Sequence, residues 1–268
     1  MAGRIAYLEL APVMVREIVP ERLDVLWQRG GFPDSLLARD GAASLRWRRD
    51  FIRSYLERDV PQFGRRIPAE TLRRFWTMLA HHQSGLLNAA SLSRSLGVDG
   101  KTVAAYLDLM VDLLLVRRLQ PWHANAGKRL VKAPKVMVRD SGLVHALLGI
   151  ADKEGLLGHP IVGASWEAFV IENLLGAAAA AGREVMPSFY RASGGAEIDL
   201  VLTWPDGQHW AIEIQRSAAP RLERGFHSAC ADIQPARRFV VYPGTERFRM
   251  AAEVEALSLP ALADEVVA

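Results

Sequence analysis

Two apolar strands joined by a Pro-Asp-Gly turn, each with a carboxylate among its hydrophobic residues, constrain this chain more than any other stretch. Residues 197–204 read EIDLVLTW, residues 210–215 read WAIEIQ, and Pro205-Asp206-Gly207 between them is a hairpin signal. Strand alternation places Glu197, Asp199 and Val201 on one face of the first strand, and Glu213 and Gln215 on one face of the second. A carboxylate in the middle of a buried strand is costly without a partner. A divalent cation is one such partner: Mg²⁺ is commonly held by one or two carboxylates, with water and phosphate oxygens completing its shell. An ion so held activates water and stabilises the charge of phosphodiester cleavage.

The surrounding pattern extends this hairpin into an α/β unit. Residues 166–180 read as a helix, 185–191 as a strand, 222–233 as a helix, and 238–242 as a strand apolar enough to be buried on both faces, which gives the order αβββαβ.

The first half is of a different kind. Residues 44–56 place Leu45, Trp47, Phe51, Ile52, Tyr55 and Leu56 mostly on one helical face, with an arginine-rich face opposite, and 70–82 repeat the pattern with Leu72, Phe75, Trp76 and Leu79. Residues 89–96 form a short helix, 97–100 a glycine turn, and 101–114 a second helix, followed by a strand over 116–122 and a basic strand pair through Lys128, Arg129, Lys132 and Lys135. Helix, turn, helix and basic hairpin are the layout of a winged helix-turn-helix. Lys101 and Thr102 begin the second helix, where residues face DNA, and Lys128, Arg129 and Lys132 are placed to meet phosphates. The exposed face of that helix offers Ala104, Ala105, Asp108 and Asp112, poor material for reading bases, so the expectation is non-specific DNA binding through the backbone. The bland account is that the unit serves packing or protein contact.

Charge divides along the same line. Residues 1–150 hold 23 Lys and Arg against 14 Asp and Glu, while the remainder holds 10 against 16. A basic half suggests a polyanionic partner and an acidic half suits a carboxylate site. The single cysteine, Cys230, excludes an internal disulfide and points to a reducing cytoplasm. No apolar run reaches the ~18 residues that span a bilayer, and the N-terminus lacks the apolar core of a signal peptide, so no membrane partner is expected. Gly97-Val98-Asp99-Gly100-Lys101-Thr102 is the nearest approach to a phosphate loop. It lacks the first glycine, has Ser95 there instead, and follows a helix, so no ATP is expected to bind this chain.

Glu167 on the helix, Asp199, and Glu213-Ile214-Gln215 together resemble the PD-(D/E)xK nuclease superfamily. The resemblance implies that Asp199 and Glu213 are ligands of Mg²⁺ or Mn²⁺, that the Ile214 carbonyl is a third, and that Glu167 binds directly or through water. Gln215 stands where the family carries a catalytic lysine. It can hydrogen-bond water but supplies no charge, which implies slow cleavage or none. The alternative is that the carboxylates pair with Arg191 or Arg216. A wider resemblance rests on Gly31-Phe32-Pro33, the run from Phe51 to Val60, the run from Lys135 to Leu143, and Tyr190-Arg191 ahead of Gly195-Ala196-Glu197-Ile198-Asp199. In order and spacing these resemble the C-terminal region of prokaryotic AAA-type ATPases, a winged helix followed by an endonuclease-like domain of unknown function. It implies an α+β or α/β chain in four parts. Residues 1–18 are the end of an ATPase domain and 19–68 a helical linker; 69–145 are the winged helix-turn-helix and 146–268 the nuclease-like domain. The functions implied are a DNA-associated protein with a weakened nuclease site, a non-enzymatic module that binds an ATPase domain or another protein, or a fragment of an ATPase.

Overall fold

The computed structural model describes residues 9–63, 67–122, 130–251 and 253–268. Lys128 and Arg129 of the expected basic hairpin therefore lie outside the described residues.

The helical first part contains α1 (Leu23–Arg29), α2 (Pro33–Leu36), α3 (Gly41–Ser54) and α4 (Ala69–His81). Asp40 starts α3 by accepting the Ala43 N–H, one of the amides a helix leaves unsatisfied at its first turn. A two-residue strand β1 (Gly85–Leu86) precedes α5 (Ala89–Leu96) and α6 (Gly100–Asp112). Asn88 and Asp99 cap these two helices, and Gly97, at φ +70°, makes the left-handed exit from α5 that other residues adopt only at a cost. The side chain of Asp99 thus occupies the N-terminus of α6, where a phosphate loop would present free amides.

Strands β2 (Val116–Pro121) and β3 (Lys135–Val138) follow, then α7 (Ser141–Leu147), the short α8 (Lys153–Leu157) and the long α9 (Val162–Ala180). Helix α9 is apolar nearly all round and is buried accordingly. The expected αβββαβ order is then completed by β4 (Met186–Arg191), β5 (Glu197–Thr203), β6 (His209–Ile214), α10 (Arg224–Ile233) and β7 (Arg237–Val241). Beyond it the chain adds β8 (Phe248–Ala251), β9 (Val254–Leu257) and α11 (Leu259–Val267), which packs along α9.

The nine strands of the described residues form one mixed sheet in the order β1-β3-β2-β4-β5-β6-β7-β9-β8. Strand β2 pairs antiparallel with β3 and parallel with β4, so the sheet runs unbroken from the first half into the second. The division expected between residues 145 and 146 falls inside α7, and one hydrophobic core draws on both sides of it. The α9 core contains Leu26, Trp27, Leu119 and Met137 from the first half as well as Phe189, Leu200 and Phe239 from the second.

Two motifs of the sequence, Gly31-Phe32-Pro33 and Asp140-Ser141-Gly142, meet in one joint. Buried Asp140 accepts the Gly31 N–H at 2.8 Å and caps α7 through the Leu143 N–H at 2.9 Å. Gly142 lies against the backbone of Arg29, where a Cβ would sit 2.1 Å from the carbonyl oxygen. Buried Arg48 closes the joint by donating to the Gly142 carbonyl at 2.8 Å. These residues hold the helical part to the sheet.

Charges of the two halves also pair with one another. Arg117 and Arg139 of the first half both bind Glu172 on α9, Arg16 binds Asp264, and Lys153 binds Asp24. Arg118 pairs with Asp108 inside the first half. The basic strands therefore turn most of their charge toward the protein itself.

Candidate functional site

The site begins with an irregularity in β5. Ser188 faces Val201 and Tyr190 faces Ile198, so β5 has one residue more than β4 between these pairs, a β-bulge at Asp199-Leu200. The extra residue breaks the alternation expected from sequence. Ile198 and Val201 both pack toward α10 with Phe226 and Ala229, while Leu200 packs toward α9. Asp199 therefore does not share a face with Val201 as the alternation predicted; Asp199 and Glu197 are both aimed at Lys135 instead.

Lys135 is the residue that sequence reading misplaced. The sequence pattern places it on a basic strand pair with Lys128, Arg129 and Lys132, yet its side chain is 3% exposed. Its Nζ lies 2.8 Å from Glu167 Oε1, 3.4 Å from Asp199 Oδ1 and 3.5 Å from Glu197 Oε1, and 5.4 Å from the centroid of the Phe189 ring. Burial by itself lowers an ammonium pKa, but three carboxylates outweigh it and hold Lys135 above its ordinary value, so it is charged. The signal in the sequence was its place at the head of the apolar run Val136-Met137-Val138, which reads as a buried strand rather than a wing.

The second oxygen of Asp199 accepts the Ile214 N–H at 3.0 Å. Asp199 thus joins two environments. Toward α9 it meets Lys135 and Glu167. On the other side it lines an open polar pocket with Glu197, Glu213, Ile214, Gln215, Arg221 and Glu223. Glu213 has no hydrogen bond or ion pair among the described residues. Burial, followed by the charges of Asp199, Glu197 and Glu223, pushes its carboxyl up to about 9. Burial also raises Glu167, with Lys135 acting in the opposite direction.

The expected site residues are only partly brought together. Asp199, Glu213 and Gln215 line one pocket, and Glu167 does not line it. Among the described residues no three His, Cys, Asp or Glu side chains are grouped to hold a metal ion. The expected three-carboxylate set is corrected in this respect: the ammonium of Lys135 stands between Glu167 and Asp199. What fits a hard cation is the remaining pair, Asp199 and Glu213, in a pocket where carboxylates outnumber cationic groups.

Gln215 spends both ends of its carboxamide on the chain: Nε2 donates to the Arg221 carbonyl at 2.7 Å and Oε1 accepts the Arg221 N–H at 2.9 Å. It closes the loop at the pocket rim. Of the two arginines expected to neutralise the carboxylates, Arg191 reaches only Glu197, at 3.4 Å. Arg216 makes no ion pair among the described residues and stacks on Trp27 and Trp166. Of the expected nucleic-acid residues, Lys101 and Lys132 are exposed and Thr102 is half-buried, its N–H held by Asp99.

Comparison with known proteins adds family and extent. Residues 20–154, half of the chain, match the family described as domain of unknown function DUF8612, and residues 162–262 match domain of unknown function DUF4143. The two matches adjoin near α8, while the sheet continues across them. The chain is similar to an uncharacterized protein of Mycobacterium tuberculosis and another of Mycobacterium bovis. Each is 45% identical over 258 residues, which covers 96% of this chain and 57% of the relative. The chain therefore spans little more than half the length of these relatives. No solved structure matches it. Among the described residues no helix is long and apolar enough to cross a membrane.

Proposed function

The chain belongs to the family described as domain of unknown function DUF8612, and we propose that its second half is a nuclease-like module of the PD-(D/E)xK kind, acting on the phosphodiester backbone of DNA with Mg²⁺ or Mn²⁺. The observation that carries this reading is the Glu213 carboxylate, unpartnered among the described residues, beside Asp199 in a pocket with more acids than bases. Such a pocket is short of positive charge, and a divalent cation supplies it.

Asp199 and Glu213 would hold the ion. Bound there, it would polarise a phosphodiester and lower the pKa of its water. Lys135 is a positioning residue: it holds one oxygen of Asp199 in place, while the Ile214 amide fixes the other. The positive charge missing at Gln215 is thereby supplied at Asp199 from a strand of the first half. In this reading α5, α6, β2 and β3 form the winged helix, which meets DNA through Lys101 and Lys132 with little sequence preference.

A second reading, a non-enzymatic module serving an ATPase domain, is favoured by the internal use of the basic strands' charge and by the greater length of the relatives. The test is calorimetric titration with Mn²⁺ together with cleavage of supercoiled DNA. The nuclease-like reading expects one saturable cation site and metal-dependent nicking, both lost in Asp199→Asn and Glu213→Gln. A wild-type chain that binds neither Mn²⁺ nor DNA at low salt leaves the second reading in place.

A further inference from the structure

Arg216 follows the strand that carries Glu213. Its guanidinium carbon lies 5.0 Å from the centroid of the Trp27 ring and 5.4 Å from that of Trp166. The two rings meet edge to face at 5.3 Å, and both are essentially fully buried. Trp27 is itself fixed, donating through its indole N–H to Ser165, whose hydroxyl also bonds His145, and Trp166 packs against Phe169. Arg216 Nε is buried and has no hydrogen-bond partner, an arrangement that normally costs free energy and is relieved here only by the aromatic faces. The terminal nitrogens also have no hydrogen-bond or carboxylate partner among the described residues, but they are not sealed from solvent. Several arginines elsewhere in the molecule find acids, among them Arg117, Arg118, Arg139, Arg191, Arg237 and Arg247. Here acids are abundant in the neighbouring pocket, yet the tryptophans hold this guanidinium away from them.

We propose that Arg216 is an anion-binding residue that takes a phosphate of the nucleic-acid backbone beside the acidic pocket. A planar guanidinium clamped by its faces keeps its N–H fork free and pre-oriented, which suits bidentate recognition of a phosphate. Arg216 lies three positions beyond Glu213, about 10 Å along an extended chain, and on the α9 side of the sheet, so a strand of DNA with one phosphodiester at the carboxylate pair can pass the end of the strand and place a flanking phosphate on Arg216. The pocket alone would repel a polyanion, and Arg216 offsets that repulsion. The identity of the ligand as a phosphodiester rests on the nuclease-like reading; the anion site itself rests on the tryptophan cradle.

The experiment is titration of the whole chain with inorganic phosphate, read by tryptophan emission, in the wild type, Arg216→Met and Arg216→Lys, with thermal melts of each. A saturable change in the wild type that is weaker in Arg216→Lys and absent in a folded Arg216→Met is the expected result. With a DNA oligonucleotide, Arg216→Met should lower the slope of log affinity against log salt by about 0.7–0.9, the loss of one phosphate contact. No saturable response in the wild type, or an equal one in Arg216→Met, overturns the proposal. If Arg216→Met does not fold, competition decides instead: the oligonucleotide must displace the phosphate signal of the wild type, and failure to do so overturns the proposal. A phosphate response that persists in Asp199→Asn while that variant leaves cation binding unchanged would sink the nuclease-like reading and keep the anion site.

Discussion

Lys135 on β3 donates to Glu167 on α9 across 2.8 Å, so a strand of the DUF8612 half supplies the cation that neutralises the helix of the DUF4143 half. Among the described residues nothing else bonds the Glu167 carboxylate, and the same ammonium also serves Asp199 and Glu197. The acidic site is therefore built across both family matches.

Removing that ammonium leaves buried carboxylates without their partner. Lys135→Met is expected to destabilise the chain by about 3–5 kcal/mol, the usual cost of breaking one side of a buried ion pair. Lys135→Met combined with Glu167→Gln should recover a large part of the loss. Urea unfolding of the two single variants and the double variant measures both effects, and a loss under about 1 kcal/mol in Lys135→Met would mean that the cluster does not hold the sheet together.

Glu213 predicts a pH dependence. Its carboxyl keeps a proton in the folded chain at pH values where the unfolded chain has lost it, from the ordinary 4.5 up to about 9. The folded state then binds more protons, so this group's contribution is present at low pH and declines as pH rises through that window. Glu213→Gln should remove the decline, leaving a variant with a higher melting temperature than the wild type near pH 8 and little different near pH 5. Mn²⁺ should raise the wild-type melting temperature most at the alkaline end and leave Glu213→Gln unchanged.

Gly142 and Gly163 should behave oppositely. A Cβ on Gly142 meets the Arg29 carbonyl at 2.1 Å, backbone that cannot move aside, and Gly142→Ala should cost about 1–3 kcal/mol or more. Gly163 lies in the first turn of α9 with nothing within 4 Å of such a Cβ, so Gly163→Ala should be neutral or stabilising by up to about 1 kcal/mol. Thermal melts of the pair test whether the joint between Asp140 and Gly31 is as tight as its contacts imply.

Gln215→Lys, the substitution that restores the family's lysine in sequence, should not create an efficient nuclease. It removes two hydrogen bonds to Arg221, worth about 0.5–1.5 kcal/mol each, and frees the loop between them. Lower stability and faster proteolysis within residues 216–221 are expected, with no rise in metal-dependent nicking. A clear rise would show that the position tolerates a catalytic lysine and that Lys135 does not fill its role.

Local patterns made much of the molecule legible. The hairpin of β5 and β6 follows from two apolar runs about Pro205-Asp206-Gly207, and Gly207 takes the positive φ, +82°, that this turn requires. Helices α5 and α6 follow from Asn88, Gly97 and Asp99, whose capping roles depend only on neighbours within a turn. The last unit, β8 to α11, was missed although Ser258 and Pro260 mark the start of α11, because the strands before it are four residues each and too short for a period to show.

The sequence by itself determined the elements, the carboxylate in each hairpin strand and the basic and acidic halves, because each of these depends on contiguous residues. Tertiary structure alone decided that β3 enters the interior with Lys135, that a bulge turns Asp199 from the side of Val201 to that of Lys135, and that Arg216 stacks on tryptophans instead of pairing with an acid. Those outcomes depend on partners 64 residues from Asp199 in one case and far apart along the chain in the others. A period of two or of 3.6 carries no record of which distant strand comes alongside, and a one-residue bulge, invisible in composition, reverses the face of every side chain beyond it.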